Sequence, residues 1–289
     1  TGGAKVFVMT VVARGLNDDE LPELMEFCHR RREFVRRLQL FPLTRTWDAA
    51  WPDGEPDRIT SEEVEALVEE CLPGEGTEFV PAGVQGRMAA LMHCLGMRPW
   101  AYAGAHPDCE SACVVFSDGD RFVPVSRFLR GSTPEVVREL VAIGERLDRW
   151  LGGYARGARA GARARTPREL AALALVAPRL VGKLKLAELL RGRGIGKLAH
   201  ALRIPLELAL GRALREVFRR HTRLDGVAEV FVMPLQDDSA FQTERLRRCP
   251  VTAAFLDPAG DRLRCVPTCA WRLHNAEALR RVADHYGRA

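Results

Sequence analysis

The first 80 residues switch repeatedly between two hydrophobic periods, and that switching limits the fold more than any other feature. "AKVFVMTVV" (residues 4–12) is rich in β-branched residues and reads as a buried strand. "ARGLN" supplies a turn. "DDELPELMEFCHRRR" then continues as an amphipathic helix with acids first and bases last, and Asn17 with Glu20 reads as a capping-box-like start. "VRRLQLFPL" predicts a second strand ended by Pro42, followed by a polar loop holding Trp47 and Trp51. "RITSEEVEALVEECL" predicts another helix, capped by Thr60 or Ser61. Strand, helix, strand, helix with short turns is a parallel α/β unit, and alone it is only part of a sheet or barrel.

The rest of the chain is less uniform. "HPDCESACVVFSDGDRFVPVSRFL" predicts a hairpin: "CVVF", a Ser-Asp-Gly-Asp turn, then "RFVPV". Residues 134–222 are dominated by Ala, Leu and Arg and read as helices, with a basic break at "GGYARGARAGARART". Residues 227–289 predict the strand "AEVFVMPL", a short helix, a Cys-bearing hairpin and a last helix from Asn275. No run reaches the roughly 18–20 apolar residues that span a bilayer. The start has no signal-peptide core, so a cytoplasmic, at most membrane-peripheral, protein is expected. Thr1 stands a few residues before a strand, and the start of a longer protein is expected to precede it.

Eight Cys in that compartment argue for metal or redox chemistry over structural disulfides. Cys28 and Cys71 fall within amphipathic helices and read as buried apolar residues, and Cys94 reads as core. The other five form two CxxxC pairs, Cys109 with Cys113 and Cys265 with Cys269, plus Cys249. C-x₂₋₄-C pairs beside hairpins fit a structural zinc site. Four thiolates also fit an iron–sulfur cluster, and spacing alone does not separate the two. There is no CxxC for thiol–disulfide exchange. His106 reads as a ligand, a donor beside one, or a plain loop residue, and His93 as packing. Asp237, Asp238 and Glu244 form an acidic cluster after a strand that reads as helix-capping, with substrate or metal contact as the alternative. The motifs GxSxG, GxxxxGK[ST] and HExxH are absent, and "GRGIGKLAH" has no strand before it to make a phosphate loop.

Several stretches in order resemble one family. "VMTVVARGLNDDELPELMEFC" is similar to a late barrel strand of the radical S-adenosylmethionine (SAM) enzymes, and "VRRLQLFPLTRT" to the next strand. "AHPDCESACVVF", "VFVMPLQDDSAFQTERLRRC" and "VPTCAW" resemble the C-terminal region of the group that includes a tetraether lipid synthase and a pterin-cofactor methylase. The resemblance implies a partial radical-SAM-type parallel barrel over residues 1–80. It implies an α+β, Cys-rich auxiliary region over 81–133 and 224–289, with a basic helical insert at 134–223. It implies an auxiliary [4Fe–4S] cluster held by Cys109, Cys249 and Cys269, completed by Cys113 or Cys265. It also implies contact of Thr10 and Asn17 with SAM, an electron-donor protein, and reaction at an unactivated carbon of a lipid-like or other apolar substrate. Two departures stand beside it. The N-terminal CxxxCxxC that binds the SAM-cleaving cluster is absent, and Phe116 sits where a third Cys would follow Cys113. SAM chemistry would therefore need a preceding segment. The stretch from Cys249 to the Pro-x-Cys is also long, with Cys265 an extra thiol.

Residues 151–223 carry 17 Lys and Arg against four Glu. Their apolar residues recur at helical spacing. Three readings are open: a solvated basic face, contact with a membrane surface, or non-specific nucleic-acid contact, the last disfavoured by the scarcity of aromatics. The alternative for the whole chain is a zinc-stabilised, non-catalytic module docking through these helices.

Overall fold

The structure is a computed structural model that describes residues 5–44, 57–72, 74, 76–95, 97, 103–151, 166–237 and 241–287. The loop with Trp47 and Trp51, nearly all of the break at residues 152–166, and Asp238 lie outside the described residues.

The expected alternation is present. Strand β1 (Val6–Val12), helix α1 (Leu21–Arg30), strand β2 (Val35–Pro42) and helix α2 (Ser61–Glu70) follow in order. β1 pairs with β2 in parallel, and β2 pairs in parallel with β6 (Gly226–Val232), which arrives almost 200 residues later. β6 then pairs antiparallel with β4 (Ser111–Ser117), which also carries the short β3 (Val80–Pro81) and β5 (Phe122–Pro124). The sheet order is β1-β2-β6-β4-β3, with β5 on β4. The fold is thus a mixed α/β sheet with a parallel half, and a closed barrel is not formed by the described residues.

Strand alternation divides the sheet's faces. Leu38 and Leu40 of β2, Val230 and Val232 of β6, and Cys113 and Val115 of β4 pack with Leu21, Met25 and Cys28 of α1 and Val64 and Val68 of α2. Each such buried aliphatic side chain stabilises the fold by about 1.5–3 kcal/mol. α2 opens as expected: Thr60 accepts from the Glu63 N–H at 3.2 Å and Glu63 accepts from the Thr60 N–H at 2.8 Å. Asn17 does not cap a helix. Its side chain accepts from the Ala13 N–H and donates to the Val11 carbonyl, both at 2.9 Å, so it ties off the end of β1 instead.

On the opposite face the same alternation places Arg37 and Gln39 of β2 and Glu229 of β6. Arg37 donates to Glu229 at 2.6 Å and lies over the rings of Phe7 and Phe231. Gln39 donates to the buried Glu110 at 3.2 Å. β1 is a sheet edge, and on this face its Phe7 and Met9 are more than half exposed.

Helices α3 (Ala89–Cys94), α4 (Thr133–Leu151) and α5 (Pro167–Gly182) form a second core around Leu91, Cys94, Ile143, Leu147 and Val176. Gly144 makes this packing possible: a Cβ there would meet the Arg87 carbonyl oxygen at 2.7 Å and Met88 Cα at 2.8 Å. His93 is buried here against Glu169, 2.9 Å away. After α6 (Leu186–Leu189), helices α7 (Ile195–Ala209) and α8 (Leu214–His221) pack together. The short α9 (Thr243–Arg247) precedes the antiparallel hairpin β7 (Thr252–Asp257) and β8 (Arg262–Pro267). The last helix, α10 (Thr268–Tyr286), starts seven residues before the expected Asn275, directly after Pro267.

Candidate functional site

The parallel strands β1, β2 and β6 end together at Val12, Pro42 and Val232, and β4 enters beside them because Ser111 pairs with Val232. Ligands of open α/β sheets collect at such strand ends. Cys109 sits in the 3₁₀ turn Pro107–Cys109, two residues before β4. The chain leaving β6 passes Pro234, Gln236 and Asp237, and buried Arg245 of α9 donates to the Pro234 carbonyl. Asp237 is buried and paired with Arg58 at 3.1 Å, while Glu244 is exposed and pairs with Arg247.

Cys249 and Cys109 lie near enough to Cys269 to act on its titration. Cys249 Sγ donates to the Val251 carbonyl at 3.0 Å, and Thr268 donates to that same oxygen through Oγ1 at 2.9 Å and N–H at 3.1 Å. One carbonyl thus ties the Cys249 loop to the first turn of α10, which carries Cys269. Burial pushes the Cys269 thiol up, and the nearby Cys249 and Cys109 thiols push it further. The Gln236 N–H and the Arg245 charge work the other way, holding the thiolate form. Among the described residues, no three His, Cys, Asp or Glu side chains stand within metal-coordinating reach of one another as placed. In donor type the three thiols suit a soft metal or an iron–sulfur cluster, with an N–H and an Arg supplying compensation.

The other two thiols stand apart. Cys113 is in the core between the sheet and the α1–α2 layer, where burial raises its pKa far above the usual value. Cys265 is exposed on β8. Cys28 and Cys94 are buried and Cys71 is half-buried. His106 accepts from the Asp108 N–H at 3.3 Å, next to Cys109. Thr10 and Asn17 line one open depression of about 410 Å³ on the α1 side of β1, and the Asn17 amide is occupied by its two backbone bonds.

Two apolar cavities, of about 620 and 390 Å³, lie against the sheet face that carries Arg37 and Glu229. They share the lining residues Met97, Val114 and Glu229, so they adjoin along this face. The larger cavity is walled by Met88, Met92, Leu140, Ile143 and Leu180 and reaches Ala82 and Ala112. The Ala82 N–H donates to the carbonyl of Glu110, the residue after Cys109. The polar residues Arg37, Gln39, Glu110 and Glu229, like Gln236 and Arg245, were not singled out in the sequence. Arg37 and Gln39, interleaved with Leu38 and Leu40, carried the signal: two polar side chains on one face of a strand buried on both sides.

No family model matches the chain. Over 131 residues it is 27% identical to the 7,8-dihydro-6-hydroxymethylpterin dimethyltransferase of Methanocaldococcus jannaschii, a match that covers 44% of this chain and only 26% of that relative.

Proposed function

We propose that this chain is part of a radical SAM iron–sulfur enzyme, in which Cys109, Cys249 and Cys269 hold an auxiliary [4Fe–4S] cluster beside an apolar substrate cavity. The observation that carries the reading is the position of Cys269 beside the Gln236 N–H just past β6, with the Cys249 thiol tied through the Val251 carbonyl to the first turn of α10. Three further observations support it: the partial likeness to a dimethyltransferase, the parallel β1-β2-β6 half-sheet with helices on one face, and the apolar strand β1 at the edge of the sheet formed by the described residues. An exposed apolar edge strand is ordinarily covered, and further barrel strands would cover it.

When bound, such a cluster supplies one-electron transfer and an open coordination position. The protein's part is legible in its own residues. The Gln236 N–H and Arg245 favour the Cys269 thiolate. The larger cavity excludes water and takes an apolar body such as a lipid-like chain, and Arg37 with Glu229 offers one charged contact to orient it.

The deciding experiment is iron, sulfide and zinc analysis of protein made and purified without oxygen. Iron and acid-labile sulfide at about four each are expected. Their loss in Cys109→Ala, Cys249→Ala and Cys269→Ala, with retention in Cys265→Ala, is the expected pattern. One zinc and no sulfide would replace the reading with a structural zinc module.

A further inference from the structure

α7 presents its apolar side to solvent. Along its outer face, and just past its C-terminal end, Ile195 is 87% exposed, Leu198 60%, Leu202 65%, Leu206 59% and Leu210 65%. These five recur at three- and four-residue steps and form a single stripe. The inner face holds the polar groups: His200 and Glu207 bond to His221 of α8 at 2.9 and 3.1 Å. Leu208 on that inner side is buried, so α7 packs inward through Leu208 and these polar bonds while its outer stripe stays exposed, and such a stripe on a folded protein marks a docking face.

The charges around the stripe choose the partner. Arg191 and Arg193 at its N-terminal end, Arg203 on its flank and Arg212 at its C-terminal end are all exposed. The one acid between Leu189 and Arg215 is Glu207, and its carboxylate is held by Arg220 at 2.6 Å, by His221, and at 3.7 Å by Arg212, which leaves Arg191, Arg193 and Arg203 as the rim's other guanidinium groups. A second copy of the chain would bring the same arginines against one another. Residues 152–165 carry four Arg and no acid, so they are repelled by the same rim. An anionic bilayer satisfies both features at once, taking the apolar stripe into its interface and the guanidinium groups at its head groups. α7 would lie in the bilayer plane. Among the described residues, no helix is long and apolar enough to cross a membrane. We propose that the outer face of α7 docks this protein peripherally on an anionic lipid surface.

The test is flotation of the chain with extruded phosphatidylcholine vesicles, with and without phosphatidylglycerol. Co-flotation with phosphatidylglycerol vesicles is expected to weaken as salt rises. It should drop at least about tenfold in a Leu202→Glu/Leu206→Glu variant, which removes two apolar insertions from a mostly exposed face. Arg193→Glu/Arg203→Glu should weaken binding and flatten its salt dependence, whereas Arg191 is kept because its side chain donates to the Thr222 carbonyl. Circular dichroism confirms that both variants are folded. Failure of the wild type to float with anionic vesicles, or equal flotation of the Leu variant, overturns the proposal. So does a lipid-free wild-type dimer that the Leu variant abolishes, because a second copy would then be the occupant.

Discussion

Cys249 and Thr268 donate to one acceptor, the carbonyl oxygen of Val251, at 3.0 and 2.9 Å. The two residues lie on different elements, so this oxygen links the Cys249 thiol to Thr268, the residue before Cys269. Thr268→Val keeps the shape of the side chain and removes its hydroxyl. The backbone N–H of residue 268 still reaches Val251, so we expect a modest loss of stability, about 1 kcal/mol, read by denaturant unfolding. Iron retention after anaerobic reconstitution should fall more clearly than stability, since a shift of α10 moves one ligand of the proposed set. A variant that loses stability but holds iron as tightly as the wild type would show that this carbonyl does not position the site.

That tie also marks where sequence reasoning reached its limit. The strands and α2 were legible because β-branched runs, Pro42 and the Thr60–Glu63 pair act locally. Asn17 was misread because an Asn before acids signals a helix cap and a strand-end turn alike. The start of α10 was missed because Pro267 fits the end of a strand as well as the residue before a helix. Cys113 could have been placed in the core by its two-residue step to Val115. The grouping of Cys109 with Cys249 and Cys269 is implied only by the resemblance, and among the described residues no metal-holding group forms from them as they stand. Their relative placement depends on β6 inserting between β2 and β4, and no local spacing encodes that.

Acid should destabilise the fold in two steps. His29 is packed edge-on against Phe122 and hydrogen-bonded to Ser117 Oγ at 2.9 Å. Burial and then Arg32 push its pKa below the usual 6.5, with Asp225, Asp118 and Asp120 pulling the other way. Below pH 6.5 the unfolded chain takes up a proton that the fold resists, so stability falls from there downward. Asp225 is the opposite kind of group. Arg32 donates to both its oxygens at 2.7–3.1 Å and holds its pKa below the usual 3.8. Its contribution is complete above pH 3.8 and is lost as pH falls through the folded value. Thermal denaturation followed from neutral pH down to below the usual Asp range should show stability falling first below pH 6.5 and again below pH 3.8, and His29→Asn should remove the upper fall while leaving the lower.

Gly144→Ala tests the α3–α4 packing. The added methyl would sit 2.7 Å from the Arg87 carbonyl and 2.8 Å from Met88 Cα, and both are backbone atoms. Neither can swing aside like a side chain, so the helices must separate. A loss of about 1–3 kcal/mol is expected in spite of the higher helix propensity of Ala. A neutral or stabilised variant in urea unfolding would mean that α4 is free to slide.

Thiol reactivity should rank the cysteines by environment. In metal-free protein under reducing conditions, iodoacetamide at pH 8 should label Cys265 first, since it is the exposed thiol of the eight. Burial pushes Cys28 and Cys71 up to about 11 and raises Cys113 further, so these react only on unfolding. Cys269 falls between: burial raises it, while the Gln236 N–H and Arg245 partly offset that. Arg245→Met removes the compensating charge and keeps the stem, so labelling of Cys269 should need a higher pH. Addition of iron and sulfide should protect Cys109, Cys249 and Cys269 together and leave Cys265 as reactive as before. Protection of Cys265 along with those three would bring the β8 hairpin into the ligand set and require it to fold inward on metal binding.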